Sequence, residues 1–201
     1  MIKKLIISIL VLCAINSCQN DREIEITKNE AIAIFHPIRL SALQDSSSSF
    51  ANYDVEYQDT LGIAYLKAFS NRLELMIDLN CNKPNTSSAL HMHYGTPNKP
   101  EQHWNPETAE SYCGKLSLGE VWGRKYAGDI GNIHFDESGD GTFFLQTDLW
   151  SLNSGEKNDI LRKVLVVHYL YEDFALHCDD NPHNHSHQNP KIGSGIIELI
   201  E

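Results

Sequence analysis

Leu73-Glu74-Leu75-Met76-Ile77-Asp78-Leu79 alternates apolar and polar side chains at every step except Met76. A period of two puts one set of residues on a single face, so this run reads as a half-buried β-strand. Residues 60–69 form a neighbouring apolar-rich run, separated from residues 72–80 by Ser70-Asn71. The pair predicts a hairpin.

The same reading extends in both directions. Residues 24–43 carry recurring apolar positions broken by Pro37, which predicts one or two strands. Residues 44–53, with Ser46-Ser47-Ser48-Ser49, read as a solvated loop. Residues 83–88 are a loop and residues 89–94 a short strand. Residues 96–119 contain Pro97, Pro100 and Pro106 and no sustained helical pattern; loops of that length are usually functional or disordered. Residues 132–135 and 142–149 flank Asp136-Glu137-Ser138-Gly139-Asp140-Gly141 and read as a hairpin with a glycine-rich turn. Val164-Leu165-Val166-Val167 is a short apolar strand, residues 171–190 a second long polar loop, and residues 192–200 a final strand. Nothing beyond the N-terminal leader keeps a 3.6-residue period, so the class is all-β, a sandwich or a barrel.

The chain has 201 residues, enough for one domain with a real core, and its hydrophobic content of 41% is ordinary. Sixteen Lys and Arg against 27 acids give a net charge of -11. That balance excludes general binding to nucleic acid, whose phosphates demand cations, and gains nothing from anionic membrane surfaces. Histidine is abundant, with ten in all.

Residues 1–17 read as a leader outside the fold. Lys3 and Lys4 precede an apolar run over residues 5–14, too short for a spanning helix. The run ends in Ile15-Asn16-Ser17-Cys18, which resembles the lipobox of bacterial lipoproteins, where cleavage precedes a cysteine that is then lipidated. An ordinary secretory signal with a chance cysteine is the alternative. The expected organisation is a signal peptide over residues 1–17, a lipidated tether over residues 18–28 beginning at Cys18, and one domain over residues 29–201. The cell envelope is then the expected location, with the lipid in the outer membrane and the domain facing the periplasm or the cell surface. Cleavage removes two lysines and no acid, which takes the net charge from -11 to -13. Cys81, Cys113 and Cys178 follow Cys18, so at most one intramolecular disulfide forms, in a compartment that permits it.

His91-Met92-His93 is the chemical centre. On a strand, positions i and i+2 share a face, so both imidazoles can reach one ion while Met92 packs behind. His103 follows in His103-Trp104-Asn105-Pro106, and His168 closes the apolar strand. Each alone fits a satisfied core or surface histidine. Four imidazoles together suit a tetragonal copper(II) site and tolerate copper(I), provided each binds as the neutral tautomer.

These segments, with Gly128-Asp129-Ile130-Gly131-Asn132 and Ile192-Gly193-Ser194-Gly195-Ile196, resemble the copper–zinc superoxide dismutases in motif, order and spacing. The glycine after His93 comes one place early, and the loop between His93 and His103 is short. The resemblance covers residues 69–201 well and residues 24–70 loosely. It implies a Greek-key β-sandwich or flattened barrel, with the metal site built from a strand and two long loops. It implies copper at His91, His93, His103 and His168, with His103 as the imidazole that bridges to zinc, detaching and reattaching during turnover. The implied reaction takes an electron from one superoxide, releasing oxygen, and gives it to a second, which leaves as hydrogen peroxide.

The chain departs from that pattern at the zinc site. Asp129 matches the zinc aspartate, but Tyr126 stands where a histidine belongs, and no histidine lies between His103 and Tyr126. Zinc is not expected there, and the resemblance narrows to the copper-only branch, in which a carboxylate or solvent takes part of zinc's role. Glu107, Glu110 and Asp129 are the carboxylates available to orient His103. The family's anion-guiding arginine is Lys191, which reads either as a weaker guide for superoxide or as a solvated loop lysine. The family's disulfide cysteine on the last strand is Ser194. A Cys113–Cys178 bridge between the two long loops is one replacement; free thiols or a pairing with Cys81 are others. His177, His183, His185 and His187 either bind metal or form a solvated histidine-rich loop. His134 reads as structural, and His36 carries no signal.

The expected function is a copper-dependent superoxide dismutase outside the cytoplasm, with His103 and Lys191 as its catalytic residues. A copper-binding, buffering or delivery protein on the same fold is the rival. The expected partners are superoxide, a membrane through the Cys18 lipid and, as a homodimer, a second copy of the chain.

Overall fold

The computed structural model describes residues 29–44, 46–106, 126–174 and 189–201. Among these residues there are strands and no helix: β1 (Glu30–Leu40), β2 (Tyr53–Val55), β3 (Gly62–Ala68), β4 (Leu73–Asn80), β5 (Ser87–Thr96), β6 (Lys99–His103), β7 (Asp129–His134), β8 (Asp140–Thr147), β9 (Val164–His168), β10 (Lys191–Ile196) and β11 (Glu198–Leu199).

Strand β4 buries Leu73, Leu75, Ile77 and Leu79 and turns Met76 and Asp78 outward. The alternation therefore runs straight through Met76, which lies between Tyr65 of β3 and Phe144 of β8 on the outer face. The hairpin of β3 and β4 forms as its sequence predicts, in unbroken antiparallel register from Gly62↔Leu79 to Ala68↔Leu73.

The strands follow the order β6-β5-β9-β10-β1-β3-β4-β8, with β7 on β5 and β2 and β11 on β1. All of these ladders are antiparallel. The sheet curls so that its two halves close on one core, in which Leu90, Met92 and Leu165 from one half join Phe35, Leu75 and Ile77 from the other. This is a Greek-key β-sandwich, as the motif order implied.

Several boundaries differ from the sequence reading. Pro37 does not split β1. It stands where β1 changes neighbour, from β3 through Phe35 to β2 from Ile38 onward, so its missing N–H interrupts neither ladder. Residues 96–119 contain strand β6, which carries Pro100; among the described residues β6 has β5 as its one neighbour, and an edge strand tolerates proline. Residues 132–135 and 142–149 do not pair with each other. Strand β7 is laddered to β5 and β8 to β4, so the turn between them carries the chain from one half of the sandwich to the other. Periodicity marks a strand but does not name its partner. Residues 1–28, and with them Cys18, lie outside the described residues, as do Glu107, Glu110, Cys113, His177, Cys178, His183, His185 and His187.

Candidate metal centre

Strand β5 presents Leu90 and Met92 to the core, so His91 and His93 face the other way. Register carries β9 beside them, with His91 opposite Val166 and His93 opposite Val164, which puts His168 on the same face. Strand β6 folds back to place His103 opposite His93. Trp104, fully buried behind it, donates its N–H to the Met92 carbonyl at 2.7 Å and accepts from Gly128 at 2.9 Å. Gly128 is required here: a Cβ would lie 2.5 Å from the Met92 oxygen and 2.8 Å from the Trp104 oxygen.

The four imidazoles converge. Ring centroids are 4.1 Å apart for His91 and His103 and 4.7 Å for His91 and His168. They are 4.7 Å apart for His93 and His103 and 5.9 Å for His93 and His168. Three rings have their outer nitrogen fixed by an acceptor. His93 Nδ1 donates to the Glu101 carbonyl at 2.7 Å, His168 Nδ1 to the Asn189 carbonyl at 2.9 Å, and His103 Nδ1 to Asp129 Oδ1 at 2.9 Å. A carbonyl or carboxylate only accepts, so each neutral ring keeps its lone pair on Nε2, turned inward. His91 is reversed: Nε2 lies 3.2 Å from Glu172 Oε2, and Nδ1 lies 3.1 Å from His168 Nε2.

This arrangement fits a metal ion. Nδ1 of His91 lies 3.1 Å from Nε2 of His168: with the His91 proton on Nδ1 the two rings hydrogen-bond to each other, and with it on Nε2, toward Glu172, both facing nitrogens offer lone pairs to a cation. Nε2 of His91 and Nε2 of His93 are both buried without a well-aligned hydrogen-bond partner in the protein; Glu172 Oε2 faces the former at 3.2 Å as a close charge contact. Nitrogen atoms of His91, His93 and His168 all lie within 4.8 Å of one another. Burial, and then the neighbouring imidazoles, hold His93 and His168 well below the ordinary histidine range; His91 is lowered by burial and by His103 against the opposing pull of Glu172. These three rings thus favour the neutral state that a metal requires. A purely nitrogen donor set suits copper.

Asp129 is fully buried on the outer side of His103, where its second oxygen accepts the Tyr126 N–H at 3.1 Å. The Tyr126 ring stands edge-on to His103 with centroids 5.8 Å apart. Lys191 is not a solvated loop lysine. It opens strand β10 opposite His168, is half-buried, and holds Nζ 5.7 Å from the Tyr53 ring centroid. Burial lowers its pKa, against the field of Glu172. Ser194, in the family's cysteine position, is buried and bonds the Pro97 carbonyl at 3.0 Å. Cys81 is a free thiol.

Sequence reasoning missed Glu172 and Asn189. Both are buried polar residues at the two ends of the second long loop. Their only sequence signal is nearness to His168 and Lys191, because a loop has no periodicity to mark an inward side chain.

A β-sandwich with a cluster of four imidazoles at one edge defines a class of protein built to hold a metal ion. The family model for copper/zinc superoxide dismutase (SODC) matches residues 61–197, a span that includes all four histidines, Asp129 and Lys191. The chain belongs to that family. Solved structures share the fold, among them the following two. The clock protein EA4 is 18% identical with a TM-score of 0.56, over 86% of this chain and 95% of that one. A variant of an SOD-like protein from Bacillus subtilis is 17% identical with a TM-score of 0.56, over 85% of this chain and 97% of that one. No curated protein gives a significant match.

Proposed function

We propose that this protein is a copper-only superoxide dismutase of the cell envelope, anchored through a lipid on Cys18 after cleavage behind residue 17, with residues 18–28 as tether and residues 29–201 as the working domain. One observation carries the reading: buried His91, His93 and His168 place ring nitrogens within 4.8 Å of one another, His103 packs its ring 4.1 Å from His91 and 4.7 Å from His93, and a carboxylate occupies the outer nitrogen of His103.

Bound copper would supply the electron relay, accepting an electron from one superoxide and returning it to another, with two protons taken up, to give oxygen and hydrogen peroxide. His91, His93, His103 and His168 would hold the ion. Asp129 keeps Nδ1 of His103 protonated, so Nε2 is the atom that can pick up a proton and pass it to reduced dioxygen. Asp129 thereby supports the position that zinc fills elsewhere in the family, and Tyr126 adds only a neutral phenol. Lys191 supplies a local positive charge that draws superoxide inward against an acidic surface. Phe174, nearly buried and edge-on to His91 at 5.4 Å, limits water around the rings.

A second reading, a copper buffer or delivery protein, is favoured by Lys191, whose half-buried ammonium is a weaker anion guide than an arginine fork. One experiment separates the two. The mature protein is loaded with copper and assayed for superoxide removal, alongside His168→Ala and Lys191→Ala. Fast turnover that His168→Ala abolishes supports the dismutase. Tight copper binding without turnover supports the carrier, and absence of copper binding defeats both.

A further inference from the structure

Asn189 is 3% exposed and stands two residues before Lys191. Its side chain makes a reciprocal pair with Leu170: Nδ2 donates to the Leu170 carbonyl at 2.8 Å, and the Leu170 N–H donates to Oδ1 at 2.8 Å. Nδ2 also lies 3.2 Å from Glu172 Oε1. The backbone carbonyl of Asn189 accepts from His168 Nδ1. Asn132 on β7 repeats the device with Glu172, donating to its carbonyl at 2.8 Å and accepting its N–H at 2.9 Å. Residues 170–172 thus hang between two asparagine side chains that imitate strand neighbours. The result is a Glu172 carboxylate 7% exposed and 3.2 Å from the outer nitrogen of His91. A buried carboxylate is costly unless neighbours hold it, and Asn189 is one such neighbour.

We propose that the Asn189 side chain is a positioning residue for the metal centre: it fixes Glu172, and Glu172 sets the ring of His91. Its main chain sets His168 as well, so one residue governs two of the four imidazoles. This rests on the copper reading above, and groups that orient a metal ligand commonly change metal affinity by about 10- to 100-fold when removed.

The test compares Asn189→Ala, Glu172→Ala and the double variant with the parent. Asn189→Ala keeps the carbonyl that His168 uses and removes only the side chain. The readouts are copper(II) affinity by chelator competition, the copper(II) electron paramagnetic resonance spectrum, and the ¹⁵N shifts of the His91 ring in metal-free protein. Asn189→Ala is expected to weaken copper by about 10-fold, to alter the resonance spectrum and to move the His91 shifts toward those of Glu172→Ala. The double variant is expected to add nothing to Glu172→Ala. A variant that loses only thermal stability, with parental affinity, spectrum and ring shifts, overturns the proposal, as does simple additivity. Should Asn189→Ala fail to fold, Asn189→Ser, which keeps an acceptor for the Leu170 N–H, carries the same comparison. A parent that binds no copper defeats the copper reading, while the His91 ring shifts in metal-free protein still decide the role of Asn189.

Discussion

Nδ1 of His103 lies 2.9 Å from Oδ1 of Asp129, and the other oxygen of that carboxylate is held by the Tyr126 N–H. A zinc ion would compete with a proton for the same ring nitrogen; the carboxylate keeps the proton there. Asp129→Ala is expected to weaken copper by about 10- to 100-fold, and Asp129→Asn, which still accepts a hydrogen bond, by less. Chelator competition measures both, and parental affinity in the alanine variant would remove Asp129 from the site.

In the proposed dismutase, Lys191 would act on the arrival of superoxide rather than on metal binding. Lys191→Ala is expected to slow superoxide removal at low ionic strength by roughly 10-fold, the lower end of the range for electrostatic steering. It should also flatten the dependence of rate on salt, while Lys191→Arg raises the low-salt rate. Pulse radiolysis over a salt series reads this directly. An unchanged salt slope in the alanine variant would mean that another charge does the steering.

The metal-free protein should weaken in acid. His91, His93 and His168 have pKa values lowered by burial and by their neighbours. Near and below about pH 6.5 the unfolded chain binds protons at these positions and the folded chain does not. Their contribution is therefore intact above the unfolded value and is lost as pH falls toward the folded values. Denaturant midpoints of metal-free protein between pH 8 and pH 5 are expected to fall below about pH 6.5, and replacing His93 with Gln should shallow that fall. A midpoint flat across the range contradicts the burial argument.

Cys81 is predicted to be inert. Burial pushes its thiol up to about 11 from 9.0, which cuts the thiolate at neutral pH by roughly 100-fold. Alkylation of native protein should show Cys81 reacting about 100-fold slower than after unfolding, followed by mass spectrometry of the labelled peptide. Rapid labelling of the folded chain would contradict this.

The strands were legible where a face is half-buried. Leu73 through Leu79 states its own orientation, and His91-Met92-His93 states that two imidazoles share a side. Partnership was less legible: nothing in residues 132–149 says that β7 belongs to β5 and β8 to β4, because pairing is settled by the rest of the barrel. Strand β6 was hidden by Pro100, a residue that only an edge position accommodates. At the site, ligand-type residues announced themselves by chemistry and motif. Glu172 and Asn189 did not, since a carboxylate and an amide in a polar loop look solvated until the fold turns them inward.

The four imidazoles are not held with equal firmness. Strands β5 and β9 are each paired on both sides, whereas β6, which carries His103, has a single neighbour among the described residues. Three of the four rings therefore sit on strands laddered from both sides, and the fourth on a strand laddered from one. An ion held there would find the side of His103 the easiest place to lose and regain a ligand, with His91, His93 and His168 keeping it in place.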